Sequence, residues 1–301
     1  MASCARFSPS DLPYGTKPRM YFLDSSYFRD HGAKRSLPSP AEVVACSLIN
    51  QRPSNPPPVK FEELKLIVKF GPKISTSETL CLWAIRKFLY GQVPVPEVCG
   101  WDSDGRHVFI YMQLIHGVTL FERYDSLSSD DKRAICQDLR RIMSQIRAIR
   151  QIPSNHVIGS ITHGPLQDRI LDSHPETGPF PSVGDFHDHW SWLWRRIALE
   201  PEKVTDPWRK SLPDDGPIVF THSDLHRKNI MITSTNPVRV LSIVDWEQAG
   251  WYPDYWKYCK ATYSVGDWED WRCGGWIDSF LTPHPQPKEA CDFICNAIGG
   301  F

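Results

Sequence analysis

An α+β fold in two lobes is what this sequence predicts, and three observations predict it. A chain of 301 residues makes about two globular units at ~150 residues each. Between residues 64 and 114 strand-like and helical patterns alternate, whereas long helical patterns dominate from residue 130 onward. Three further short strands then cluster between residues 218 and 244 and carry a concentration of carboxylate, amide and imidazole side chains. Hydrophobic residues make up 41% and charged residues 23%, both near the globular average. A chain of this length buries a full core without a disulfide or metal staple.

Residues 1–60 are irregular by pattern, rich in Pro, Ser and Asn, with Pro53, Pro56, Pro57 and Pro58 close together. One short helix is predicted from Ser39 to about Leu48, with Ser39 as its N-cap and Pro40 at its first position. Leu64 to Phe70 (LKLIVKF) reads as a strand stopped by Gly71 and Pro72. From Ser75 to about Leu89, the residues Leu80, Leu82, Trp83, Ile85, Phe88 and Leu89 fit a helical stripe. Val108 to Leu114 (VFIYMQL) reads as a second buried strand, entered from a turn at Asp102–Gly105.

The clearest helix runs from Asp130 to about Ile149. Ile135, Leu139, Ile142, Met143, Ile146 and Ile149 recur at helical spacing, Ser129 is placed to cap it, and its Arg-rich face is left to solvent. A loop of about 30 residues rich in Gly, Pro and His comes next, and a connection that long is usually functional or disordered. Helix resumes near Ser182, with Asp185 placed for a capping box, and continues to about Leu199. His187 and His189 sit two apart on it and so on different faces, which reads as surface rather than a metal site. Strands at Ile218–Thr221, Ile230–Thr233 and Val240–Val244 come next, and the C-terminal stretch looks helical and aromatic.

Composition narrows the function. The 34 basic and 35 acidic residues leave no broad basic face for nucleic acid. No apolar run approaches the ~18 residues of a membrane span, and no signal peptide is expected from the opening residues. The nine cysteines form no CxxC pair and no zinc-like spacing, so they read as reduced thiols of a cytoplasmic protein. Cys291 and Cys295 read as two small core side chains on one helix face. Twelve Trp and 26 Pro are the compositional departures, most of the Trp lying after residue 180.

The segment Thr221 to Thr233 (THSDLHRKNIMIT) is the informative one. A strand enters His222-Ser223-Asp224, then comes Asn229, then a second strand, and Val244-Asp245-Trp246 stands at the end of a third. Hairpin pairing of these strands brings two carboxylates and an amide together. A hard cation such as Mg²⁺ takes oxygen ligands of this kind, and a carboxylate beside them can accept a proton from an attacking hydroxyl.

His222, Asp224, His226 and Asn229, followed by Asp245, resemble the H-x-D-x-x-x-x-N plus D pattern of the kinase fold. Within it they are similar to the aminoglycoside phosphotransferase and choline kinase family of small-molecule kinases. Ile243 to Trp256 (IVDWEQAGWYPDYW) resembles most closely the fungal phosphotransferase-like group. Weaker resemblance runs upstream to about Leu37. It implies a two-lobed protein-kinase-like fold with a reduced N-lobe sheet and a mainly helical C-lobe. Residues 1–36 would be an irregular segment, 37–115 the nucleotide-binding N-lobe, and 116–301 the C-lobe with the catalytic loop and substrate region.

The resemblance also implies roles. Asp224 would be the catalytic base, and His222 would fix its loop. Asn229 and Asp245 would hold Mg²⁺ with ATP. Lys69 would pair with the α- and β-phosphates, and Glu78 would position Lys69. Backbone groups of Gln113, Leu114 and Ile115, within Tyr111–Gly117, would face the adenine. Glu78 has a competing reading, because Ser75-x-x-Glu78 is also a capping box. His226 reads as structural.

Two departures accompany the resemblance. No Gly lies between Gly32 and Gly71, where the kinase fold closes a Gly-rich hairpin over the phosphates; prolines, which lack N–H donors, stand there instead. Arg227-Lys228 replaces the usual Pro and small residue, giving two cations for an anionic substrate or the transferring phosphoryl group, or for solvent alone. No A-P-E motif comes after Asp245, which argues against a protein substrate. The expected function is therefore an ATP- and Mg²⁺-dependent kinase acting on a hydroxyl of a small metabolite, with no nucleic-acid, membrane or protein partner inferred. The alternative is a kinase-fold pseudokinase or a scaffold repurposed for other chemistry.

Overall fold

Alternation of side chains along Leu66–Gly71 sets the architecture of the first half. Leu66, Val68 and Phe70 point to one face of a sheet, and Ile67 and Lys69 to the other. Strand Val108–Gln113 alternates in step, with Phe109 and Tyr111 on the first face and Ile110 and Met112 on the second. A side-chain period of two residues makes this division automatic. The computed structural model describes residues 5–13, 17–30, 35–48, 54–172, 174–175 and 177–299; Gly32 and Pro53, named above, lie outside them.

The sheet is antiparallel and has five strands, in the order Met20–Tyr21, Val98–Ser103, Val108–Gln113, Leu66–Gly71, Val59–Phe61. Tyr27, Phe28, Leu37 and Val43 cover its first face. There Phe70 and Phe109 stack with centroids 5.2 Å apart, each fully buried ring stabilising the sheet by roughly 1.5–3 kcal/mol. Helix Ser77–Phe88 covers the second face through Leu82, Ala84 and Ile85.

The second half is mainly helical. Ser129–Ile146, Val183–Arg195, Trp256–Tyr263, Trp276–Phe280 and Pro285–Ala297 surround a core in which Trp190, Trp246, Trp251, Trp256 and Trp271 are all fully buried. Much of the tryptophan enrichment is therefore core, whereas Trp192 and Trp268 are exposed. Cys291 and Cys295 are buried on the last helix. Two small sheets carry the chemistry-bearing loops. Ile230–Ile232 pairs with Val240–Ile243 and Val118–Thr119, and Ile218–Thr221 pairs with Gly250–Pro253. Strand Ala5–Phe7 runs parallel to Ile149–Gln151, and Phe7, fully buried, packs on Trp251 and Phe88. Among the described residues no helix is long and apolar enough to cross a membrane.

Several sequence expectations need correction. Val98–Ser103 is a strand that the sequence pattern did not suggest, and it takes in Asp102 and Ser103 of the expected Asp102–Gly105 turn. A Cβ on Gly100 would lie 2.4 Å from the Met20 carbonyl, so the glycine serves close strand approach. Asp102 is buried because Arg19 pairs with it at 2.8 Å. Gly250–Pro253 is likewise a strand. Ser128, not Ser129, caps the long helix, with Asp131 completing its box, and Ile149 has already left it for a strand. His187 is not at the surface: it is fully buried, bonded to Asp214 at 2.8 Å and to the Tyr255 hydroxyl at 2.6 Å. The long loop before Ser182 is anchored by buried Leu166, Asp168 and Leu171.

Candidate active site

Lys69 reaches inward because its strand neighbours Val68 and Phe70 take the other face of the sheet. Its Nζ donates to Glu78 Oε2 at 2.9 Å, Asp245 Oδ1 at 2.6 Å and Glu247 Oε2 at 2.7 Å. Burial works against its charge, but the three carboxylates more than offset it and hold its pKa above the ordinary lysine value. Glu78 is almost wholly buried on helix Ser77–Phe88. Burial pushes its carboxyl up, and Lys69 opposes that shift. Its second oxygen accepts the Trp246 N–H at 3.3 Å. The capping-box alternative fails here: Thr76 is the N-cap, no side chain caps the helix, and Glu78 faces Lys69.

Asp224 and Asp245 end two different strand connections, and His222 ties them together. His222 Nε2–H donates to the Val244 carbonyl at 2.9 Å, and Nδ1 accepts the Asp224 N–H at 3.1 Å. Both bonds require the neutral ring, and burial pushes its pKa down accordingly. Ser223 and Asp245 sit at φ +63° and +64°, a left-handed conformation that costs on the order of 1–3 kcal/mol for non-glycine residues. The Ser223 hydroxyl is held by Asp168 at 2.6 Å. For Asp245, burial works against its charge while Lys69 pulls its pKa below the ordinary value.

Asn229 donates from Nδ2 to the Asp224 carbonyl at 2.9 Å and to Asp224 Oδ2 at 3.2 Å. Its amide oxygen, and the Asp245 oxygen that Lys69 does not use, have no partner among the described residues. One amide and one carboxylate oxygen make a sparse, hard donor set that fits Mg²⁺. Glu78, Asp245 and Glu247 also stand close enough together to hold a metal, but the Lys69 ammonium already occupies their centre.

Two cavities flank these residues, one lined by Asn229 and the other by its hydrogen-bond partner Asp224. One, of about 430 Å³, runs between the halves of the chain and is lined by Leu82, Met112, Leu114, Val118 and Met231, with Lys69, Asn229 and Asp245 at one end. Gln113, Leu114 and Ile115 line it together. The Gln113 and Leu114 N–H groups are committed to the carbonyls of Glu97 and Lys65, both at 2.8 Å. Ile115 alone of the three has its N–H free of a backbone partner among the described residues. Pro58 lines the same cavity, where the sequence lacks glycine. The second cavity, of about 700 Å³, lies beyond Asp224 and is lined by Arg169, Ile170, Tyr263, Val265 and Trp268.

Arg227 lines neither cavity. Its guanidinium pairs with Glu269 and stacks 4.5 Å over Tyr124. Lys228 lines the first cavity, with its ammonium 5.0 Å over Phe121. His226 Nε2 lies 3.6 Å from Asp224 Oδ1. Sequence reasoning missed Glu247, although its place two residues after Asp245 in the DWE run was a signal. It also missed Asp168, Arg169 and Gln248. Nothing local marks the first two, because they stand in a loop and reach the site only through the tertiary fold.

No curated protein matches the chain. Solved structures similar to it include an aminoglycoside-3′-phosphotransferase of type VIII, 13% identical over 77% of this chain and 84% of that one, TM-score 0.48. Another is the ternary complex of streptomycin, ATP and APH(2″)-IIa, 16% identical over 85% and 87%, TM-score 0.48. A third is APH(3″)-Id from Streptomyces rimosus with ADP and streptomycin, 15% identical over 78% and 88%, TM-score 0.43. The model of the phosphotransferase enzyme family matches residues 59–278. With its kinase-like α+β fold, the chain belongs to the phosphotransferase enzyme family.

Proposed function

We propose that the protein is a small-molecule kinase that transfers the γ-phosphoryl group of ATP to a hydroxyl of a small metabolite. The observation that carries this reading is the Asn229–Asp224 hydrogen bond between the two cavities, with Lys69, Asn229 and Asp245 lining one and Asp224 the other. The apolar cleft offers walls for a purine and one free N–H at Ile115. Lys69 meets the phosphates, held in place by Glu78. Asp224, fixed by His222 and Asn229, orients the acceptor hydroxyl and takes its proton. Mg²⁺ bound through Asn229 and Asp245 would neutralise phosphate charge. Under this reading residues 37–115 serve the nucleotide and 116–301 serve the chemistry and the acceptor.

The acceptor cavity argues about the substrate. Asp267 pairs with Arg272, Asp292 with Lys288, Lys260 with Asp168 and Arg169 with Glu247. Its acids are thus largely matched by bases, whereas a polycation such as streptomycin, bound by two of the neighbours, calls for surplus carboxylate. A neutral or anionic hydroxylated compound suits it better. The second reading, a pseudokinase or repurposed scaffold, draws on Pro58 standing over the cleft without N–H donors. Calorimetric titration with a non-hydrolysable ATP analogue decides between them. Micromolar, Mg²⁺-dependent binding is expected; no binding at millimolar nucleotide would reject the kinase reading and leave the scaffold.

A further inference from the structure

Phosphoryl transfer concentrates negative charge on three oxygens, and the stretch from residue 33 to residue 70, through most of strand Leu66–Gly71, holds no glycine whose amide could meet it. Pro58 lines the cleft between the halves, and strand Val59–Phe61 is the edge of its sheet, so no further strand of that sheet folds over the phosphates among the described residues. Lys60, Lys69 and Lys228 line the cleft on the nucleotide side, and a further cation facing the acceptor would meet the developing charge from the other side.

Such a cation stands there. The Arg169 guanidinium donates through Nη2 to Glu247, whose other oxygen holds Lys69 at 2.7 Å. Arg169 also lines the acceptor cavity with Asp224. Its other side-chain N–H groups have no partner among the described residues, and the side chain is 60% exposed. Burial works against its charge, but Glu247 and then Asp224 and Asp245 hold its pKa above the ordinary arginine value. Both the catalytic carboxylate and the carboxylate beside Lys69 therefore lie within its electrostatic reach.

The backbone beneath it is fixed. Asp168, fully buried, accepts the Ser223 hydroxyl at 2.6 Å, the Trp256 indole at 3.2 Å, the Lys260 ammonium at 2.5 Å and the Ile170 N–H at 3.1 Å. The Arg169 N–H itself donates to Gln248 at 3.0 Å. The loop is thus nailed to the catalytic segment at the residue before Arg169 and at Arg169. Charge fixed in advance stabilises a transition state without reorganisation cost.

We propose that Arg169 is a catalytic residue that stabilises the γ-phosphoryl group during transfer, in place of the glycine-rich hairpin. The proposal rests on the kinase reading. The acceptor oxygen forms its bond to the γ-phosphorus as the bond to the β,γ-bridging oxygen breaks. The hydroxyl proton goes to Asp224, and the electron pair leaves with ADP. The planar fork of Arg169 binds the oxygens of the group in flight, as guanidinium does for phosphate generally.

The test uses the full chain and needs no acceptor. Titrate ADP with Mg²⁺, alone and with aluminium fluoride as a mimic of the phosphoryl group in transfer, into the parent protein and the R169A and R169K variants. In the parent, fluoride should tighten ADP. R169A should bind ADP with Mg²⁺ within about threefold of the parent and lose at least about tenfold in affinity for the fluoride complex; R169K should recover part of it. Equal losses for both ligands, no loss for either, or a parent that fluoride does not tighten would each overturn the proposal. A parent that binds no ADP at all would instead reject the kinase reading beneath it. Arg169 is exposed, and unchanged thermal melting of R169A shows that the fold is intact.

Discussion

Lys69 Nζ lies 2.6 Å from Asp245 Oδ1, although 176 residues separate them in the chain. The lysine comes from the central sheet and the aspartate from the loop after the last strand of a small sheet in the helical half. Their contact, with Glu78 and Glu247 beside it, is an electrostatic clasp across the cleft.

Removing the cation should show how much the clasp matters. In Lys69→Met, three carboxylates lose their common partner, one of them deeply buried. Breaking a buried pair in this way costs on the order of 3–5 kcal/mol, so the denaturant midpoint should fall clearly and nucleotide affinity with it. An unchanged midpoint would mean that the carboxylates do not depend on Lys69.

The two readings of Glu78 separate cleanly by mutation. Ser75→Ala removes a long bond from the Ser77 N–H at 3.4 Å and an exposed one to Gln167 at 3.0 Å, and should change stability by less than about 1 kcal/mol. Glu78→Gln keeps the side-chain shape but not the charge that pairs with Lys69. ATP-analogue affinity should drop severalfold in the second variant and hold in the first; calorimetry on both compares them directly.

Asp224→Asn preserves the size of the base and removes its proton affinity. ADP release from MgATP should slow by about 10²–10⁴-fold, while nucleotide binding stays near that of the parent. Turnover at the parent rate would remove Asp224 from the chemistry.

Lys257 gives a pH dependence of stability from a buried amine behind the catalytic loop. It is buried against Thr221, His222 and Ser223. Burial, helped by Arg147 and opposed by Asp254, pushes its ammonium down to about 7. In the unfolded chain it titrates near its ordinary 10.5. Between those values the unfolded form holds the extra proton, so stability climbs as pH rises from about 7 toward 10.5; below about 7 the penalty is complete, and above 10.5 it is gone. Lys257→Met should melt higher than the parent at pH 6.5, and the difference should shrink toward pH 10. A variant no more stable than the parent at pH 6.5 would contradict this.

How much of this was legible depends on the range of the signal. The Asp224 loop, Asn229 and Asp245 announce themselves because strand patterns and turn residues frame them locally. Lys69 stands at the end of a legible strand, but its role was visible only through the family resemblance. Val98–Ser103 was hidden because Gly100 and Asp102 look like turn residues until Met20 and Arg19 pack against them. His187 looked superficial because the Asp214 and Tyr255 that make its burial tolerable are distant in sequence. Arg169 and Asp168 are the extreme case: their significance lies wholly in partners brought from residues 223, 247, 256 and 260.

The pairing of Ala5–Phe7 with Ile149–Gln151 has a practical consequence for anyone who would treat the lobes as modules. Phe7 packs between Trp251 of the helical half and Phe88 of the sheet half, so strand Ala5–Phe7 joins the two. A fragment begun at residue 116 would carry an unfilled slot and an unpaired strand edge. Grafting this catalytic half onto another nucleotide lobe therefore requires carrying that first strand along as well.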